Sequence, residues 1–195
     1  RKFSRQLEGE DVEALGQMSD TIVRKTGDLR RIVDEFSKFA RMPEPERRDH
    51  DLVAIVRDAV LLQEAGLPGV KIDLSLPETP LLVEVDDTML GQVMTNLVKN
   101  AGEATQSLID QGAPEGYQPQ VQVEMRETDD GVAIDVSDNG IGLPEDRDSL
   151  FEPYVTNRDE GTGLGLPIVR KIIEEHQGTL ALTDAAPFDE TGRVG

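Results

Sequence analysis

Two prolines, Pro43 and Pro45, constrain this chain most, because they separate two different hydrophobic periodicities. Upstream, Leu15, Met18, Ile22, Leu29, Ile32, Phe36 and Phe39 recur at alternating steps of three and four, with Lys25 at the one polar position of the seam. That spacing predicts a single helix from Asp11 to about Arg41, with an apolar stripe suited to packing on other helices in a bundle. Proline cannot continue the helical hydrogen-bond ladder, so Met42-Pro43-Glu44-Pro45 ends the helix. An amphipathic helix lying on its own domain's core is the alternative. The length and the proline break favour a separate helical module, residues 1–45, followed by a second domain, 46–195. The chain opens mid-pattern at Arg1-Lys2-Phe3-Ser4-Arg5, so the first eight residues read as the tail of a preceding helix.

Downstream the signals alternate between helix and strand. Asp51 is a candidate N-cap for a helix from Leu52 to about Glu64. Val70 to Leu74 and Leu81 to Val85 read as strands, and a second helix runs from about Asp87 to Asp110. Gln111 to Gln118 is a loop rich in Gly and Pro. Val121 to Met125 and Val132 to Val136 alternate and are joined by a turn at Asp129-Asp130-Gly131. A third helix spans about Leu164 to His176, Thr179 to Leu182 reads as a strand, and the last residues as the start of another. This order predicts an α/β (α+β) two-layer sandwich, with helices on one face of a mixed sheet.

Composition narrows the chemistry. The net charge of −19 disfavours nucleic-acid binding, since neutralising a phosphate backbone takes many Lys and Arg. A small nucleotide needs only a local site and is not disfavoured. The absence of cysteine removes disulfides, thiol catalysis and cysteine-based zinc sites. No apolar run approaches the roughly 20 residues of a membrane-spanning helix. No membrane contact is expected for this stretch, and the cytoplasm is the expected location; an inner-membrane anchor would belong to other parts of the parent protein.

Three segments carry chemistry. Asp138-Asn139-Gly140-Ile141-Gly142 follows a strand. Its glycines allow a tight turn and close backbone approach to a flat ligand, and its carboxylate can accept from an exocyclic amine; alone, the same run also reads as an ordinary turn. Gly161-Thr162-Gly163-Leu164-Gly165-Leu166 runs into a helix, where successive backbone N–H groups and the helix dipole attract an anion. It is neither the dinucleotide Gly-x-Gly-x-x-Gly nor a P-loop. Asn96 and Asn100 lie four apart on one helix face, and an amide oxygen suits Mg²⁺.

In this order the three segments resemble the N, G1 and G2 boxes of two-component sensor histidine kinases, within the gyrase/Hsp90-like ATPase superfamily. Phe151-Glu152-Pro153-Tyr154 resembles the F box, and His176-Gln177-Gly178-Thr179 the stretch that closes the nucleotide pocket. Lys99-Asn100-Ala101-Gly102-Glu103-Ala104 resembles the nitrogen-regulation branch, the NtrY and NtrB kinds. The resemblance implies a Bergerat-type ATP-binding fold preceded by a helix of a truncated dimerisation bundle.

It also implies roles. Asp138 would bind the adenine amine, with Gly140 and Gly142 in the close-approaching turn and Thr179 supporting the adenine through water. Asn100 would hold Mg²⁺ against the phosphates and Asn96 would line the phosphate side. Gly161, Thr162, Gly163, Leu164 and Gly165 would form the phosphate loop and the hinge of an ATP lid. Arg158 would reach the γ-phosphate, and Phe151 would pack under the lid. Lys99 would lie beside the phosphates, although it and Glu103 read equally well as solvated helix charges. Gyrase-type enzymes carry a water-activating glutamate where this chain has Asn96, a departure that suits phosphotransfer to histidine over ATP hydrolysis.

The implied activity moves the γ-phosphoryl of ATP to a histidine, for relay to an aspartate on a response-regulator receiver domain. The implied assembly is a homodimer. Neither His50 nor His176 has the His-Glu-x-x-Asn-Pro context of the family's acceptor, which is therefore expected upstream. His50 reads as a surface linker residue and His176 as a helix-terminal one. The rival readings are an ATPase or switch of the gyrase/Hsp90 kind, and a binding module without turnover.

Overall fold

The computed structural model describes residues 9–153, 163–186 and 188. Compact units divide at Met42 and Pro43. The first contains helix α1, Gly9–Ala40, of 32 residues. Its seam residues Leu15, Met18, Ile22 and Leu29 are each at least half exposed. The residues expected to form the tail of a preceding helix lie outside the described residues.

The second unit opens with strand β1, Arg48–Asp51, followed by helix α2, Leu52–Glu64, and strands β2, Lys71–Ser75, and β3, Leu82–Val85. Helix α3, Asp87–Asp110, leads to a hairpin of β4, Gln120–Thr128, and β5, Gly131–Asp138. A 3₁₀ turn at Asp148–Phe151 and helix α4, Gly165–Glu175, complete it. Strands β2, β4 and β5 form a mixed sheet in which β2 runs parallel and β5 antiparallel to β4. Strands β1 and β3 form a separate antiparallel ribbon.

The alternation of β4 explains the layers. Val121, Val123 and Met125 are buried, while Glu124 points to solvent. α3 packs against α2, α4, β4 and β5 and so lies at the centre of the unit. Its core stripe is Leu90, Val93, Met94, Val98 and Ala101, matched by Val53, Val56 and Val60 of α2 and by Ile168, Val169 and Ile172 of α4. Each such aliphatic side chain contributes about 1.5–3 kcal/mol by leaving water. Aspartates cap both long helices of this unit: Asp51 accepts from Val53 N–H at 3.1 Å and Asp86 from Met89 N–H at 2.9 Å.

Two expectations fail. Thr179 to Leu182 is not a strand; the Leu182 carbonyl, which a ladder would use, accepts from the Arg147 guanidinium at 3.2 Å. His50 is not a linker residue. It lies in β1 opposite Val83, with Nδ1 4.0 Å from an Asp87 carboxylate oxygen. Arg-Asp-His-Asp carries no apolar alternation, so the partner strand β3 and not the local sequence makes β1 a strand. The strand expected at the chain's end lies largely outside the described residues. Among the described residues, no helix is long and apolar enough to cross a membrane.

Candidate functional site

Helix α3 supports the site from both ends of its middle stretch. Asn96 and Asn100 share one face, and α4 begins beside them. A Cβ placed on Gly165 would lie 3.7 Å from the Asn100 amide nitrogen and 3.8 Å from the Asn96 amide oxygen. The start of α4 has no side-chain cap: Leu164 occupies the cap position, and its side chain is wholly buried. The first-turn N–H groups of α4 therefore have no capping oxygen from Leu164, in a place where an anion would be attracted. Gly163 has φ of 65°, a left-handed turn that glycine enters without strain. Leu164 can serve a ligand only through its backbone.

One turn further along α3, the Asp138 loop is seated on the helix backbone. Gly140 is buried, and a Cβ there would come within 2.3 Å of the Ala104 carbonyl carbon. Ile141 N–H donates to the Ala104 carbonyl at 3.3 Å. Glycine at 140 is thus required by packing on α3. Gly142 has φ of 75° and turns the chain away. Asp138 Oδ1 accepts from Gly140 N–H at 2.9 Å, which fixes the carboxylate at the end of β5.

The loop is also held from the opposite side. Asn139 Oδ1 accepts from Gln120 N–H at 2.9 Å, its Nδ2 donates to the Gln118 carbonyl at 2.9 Å, and the Tyr117 hydroxyl lies 3.0 Å from Oδ1 and 3.1 Å from the Asn139 carbonyl. Burial, and secondarily the Asp138 charge, push the Tyr117 phenol above its ordinary value, so it stays a protonated donor. Sequence reading passed over Tyr117, because a tyrosine in a Gly- and Pro-rich loop carries no periodic signal.

The remaining candidates are more peripheral. Lys99 Nζ is 3.7 Å from Glu103 Oε1, an exposed pair one helical turn apart. Phe151 lies under the Arg170 guanidinium, 5.1 Å from the ring centroid, and so is fastened to α4. Thr179 is exposed and lies beyond the turn that ends α4. In that turn Gln177 takes the left-handed position with φ of 61°, and Gly178 N–H donates to the Ile173 carbonyl at 2.9 Å, a Schellman closure. Arg158, Gly161 and Thr162 lie outside the described residues. Among the described residues, no group of three or more His, Cys, Asp or Glu is placed to hold a metal. A metal here would rely on amide oxygens, phosphates and water.

Comparison with known proteins places this geometry. The profile of the histidine kinase-, DNA gyrase B-, and HSP90-like ATPase family matches residues 85–193. The chain is 43% identical over 186 residues to the nitrogen regulation protein NtrY of Azorhizobium caulinodans, covering 95% of this chain and 24% of that protein. It is 33% identical over 192 residues to the sensory histidine kinase/phosphatase NtrB of Rhodobacter capsulatus, covering 92% of this chain and 51% of that one. The chain thus spans from a quarter to about half of these relatives. Among solved structures, the catalytic domain of histidine kinase ThkA superposes with a TM-score of 0.56 at 31% identity, covering 67% of this chain and 81% of that one. ThkA in complex with the response regulator TrrA gives 0.65 at 25% identity, covering 99% and 52%. The α/β fold is that of histidine kinase catalytic domains, and the chain belongs to the histidine kinase-, DNA gyrase B-, and HSP90-like ATPase family.

Proposed function

We propose that this chain is the ATP-binding catalytic region of a sensor histidine kinase of the nitrogen-regulation kind. In this reading residues 46–195 bind ATP, and residues 1–45 belong to the helices of dimerisation and histidine phosphotransfer. The observation that carries it is the convergence on α3: the uncapped start of α4 beside Asn96 and Asn100, and the Asp138 turn seated one helical turn away.

Asp138 accepts from the adenine amine, and Gly142 lets the backbone approach the ring. Asn96, Lys99 and the amides of Gly163, Leu164 and Gly165 face the phosphates. Gly161, Thr162 and Arg158 complete that loop by resemblance, Arg158 reaching the γ-phosphate, and Thr179 closes the adenine side through water. The donor set fits Mg²⁺, a hard cation content with one protein oxygen, that of Asn100, plus phosphates and water; when bound it supplies neutralisation of phosphate charge. An imidazole nitrogen of the acceptor attacks the γ-phosphorus, and the N–P bond forms as the bond to the bridging oxygen breaks. ADP leaves with that oxygen, and the imidazole proton passes to a base. The chain's residues contribute position and charge neutralisation.

Downstream, the ThkA–TrrA complex supports a response regulator as the partner that receives the phosphoryl group on aspartate. The exposed seam of α1 supports a homodimer. The proposed location is the cytoplasm. Labelled ATP, this chain and a protein bearing the acceptor helix test the reading. Acid-labile, base-stable label on the acceptor's histidine is expected. Free phosphate without label would indicate an ATPase, and neither product a binding module.

A further inference from the structure

The peptide joining Asn139 to Gly140 has a partner at each end. Its carbonyl lies 3.1 Å from the Tyr117 hydroxyl, which shares its single hydrogen between that carbonyl and Asn139 Oδ1 at 3.0 Å, and its N–H donates to Asp138 Oδ1 at 2.9 Å. A peptide is planar, so fixing the direction of the C=O fixes that of the N–H. A hydroxyl hydrogen donated to the carbonyl also polarises the amide and so strengthens the N–H bond at its other end. We propose that Tyr117 is a positioning residue for nucleotide recognition: through the Asn139–Gly140 peptide it sets the orientation of the Asp138 carboxylate that receives the adenine amine.

Three observations support this. Asn139 is bound on Oδ1, Nδ2 and its backbone N–H by the segment from Gln118 to Gln120, so its main chain has little freedom except the tilt that Tyr117 restrains. Gly140 rests on the Ala104 carbonyl of α3, so the same peptide is braced against the helix that carries Asn96 and Asn100. Tyr117 itself is held in its loop by a bond from its N–H to the Pro114 carbonyl at 3.0 Å. The loop of residues 111–118, otherwise a connection between α3 and β4, thereby becomes part of the adenine pocket's support.

The proposal rests on the adenine role of Asp138 and is tested beside it, by calorimetric titration of ATP and of GTP into the wild-type chain, Tyr117→Phe, Asp138→Asn and the double variant. Phenylalanine keeps the ring and removes only the hydroxyl. Tyr117→Phe should weaken ATP about threefold to tenfold, as expected for one neutral hydrogen bond, and leave GTP unchanged. In the Asp138→Asn background the same substitution should add nothing further, because the group it positions has changed. Asn139→Ala, which removes the bridge from its other side, should lower the ATP-to-GTP preference in the same direction. Unchanged ATP affinity in Tyr117→Phe would overturn the proposal. So would an equal loss for ATP and GTP, or a full additional loss in the Asp138→Asn background. Unchanged ATP affinity in Asp138→Asn alone would instead remove the adenine assignment on which the proposal stands.

Discussion

Asp86 and His176 tie the start of the second unit to two helices. Asp86 Oδ1 caps α3, its Oδ2 accepts from Glu46 N–H at 2.9 Å, and its own N–H donates to His176 Nε2 at 3.1 Å. The lost cap costs about 1 kcal/mol, and the second bond to a charged acceptor adds a similar amount. Asp86→Ala should therefore destabilise the chain by about 2 kcal/mol, read from the shift of a urea unfolding curve; an unchanged midpoint would mean that water replaces both bonds. His176 accepts on Nε2 from Asp86 N–H, and its Nδ1 lies 2.8 Å from the Ile172 carbonyl. Both ring nitrogens are committed to the scaffold, and His50 is a strand residue. Incubation of this chain alone with labelled ATP should accordingly leave no acid-labile, base-stable label; such label at either histidine would contradict that assignment. His176 was legible as a helix-terminal histidine, since the helix and its end are written locally. Its bond to Asp86 was not, because the partners stand 90 residues apart and nothing in either local sequence names the other.

Helix α3 joins the core to the site, and one glycine within it and one packed against it separate the two demands. Gly140 meets the backbone of α3 at 2.3 Å, so a methyl group there must push apart two main chains. Gly140→Ala should cost about 2 kcal/mol or more and reduce ATP affinity together with stability, measured by urea unfolding and calorimetry. Gly91 lies within α3 with open space around its Cβ position. Gly91→Ala should stabilise by about 0.5–1 kcal/mol in the same unfolding assay, leaving nucleotide binding unchanged. The signs are opposite because a methyl group at 140 meets a main chain, whereas at 91 it meets nothing and only lowers the backbone entropy lost on folding. The start of α2 was readable from its aspartate cap and the span of α3 from its helical period; that Asp86 caps α3 emerged only in the structure. Strand β1 was not readable, being four polar residues whose strand state depends on β3. The segment from Thr179 to Leu182 was misread for the converse reason: its alternation is local, but its carbonyl is taken by Arg147, a residue with no sequence signal for that task.

At the scale of the whole molecule, the proposed nucleotide site is assembled from segments distant in the chain: Asn96 and Asn100, the turn from Asp138 to Gly142, and the start of α4. Their residue types were visible in the sequence, because each motif carries its own chemistry. That they form one site was visible only through resemblance, and their common support on α3 not at all, since no local pattern states that Gly140 lies on Ala104 or that Gly165 lies beside the two amides. The net charge of −19 makes this convergence informative, because an anionic ligand must be held by local N–H groups and amides against an unfavourable overall field. One titration tests it most directly: ADP with Mg²⁺ added to the isotope-labelled chain, followed by NMR at the backbone amides of Gly140, Gly142, Gly163 and Gly165 and the side-chain amides of Asn96 and Asn100. The account predicts that all six signals move together along one saturation curve. Movement of the Asp138 turn without the start of α4, or of neither, would contradict a single nucleotide site built on α3.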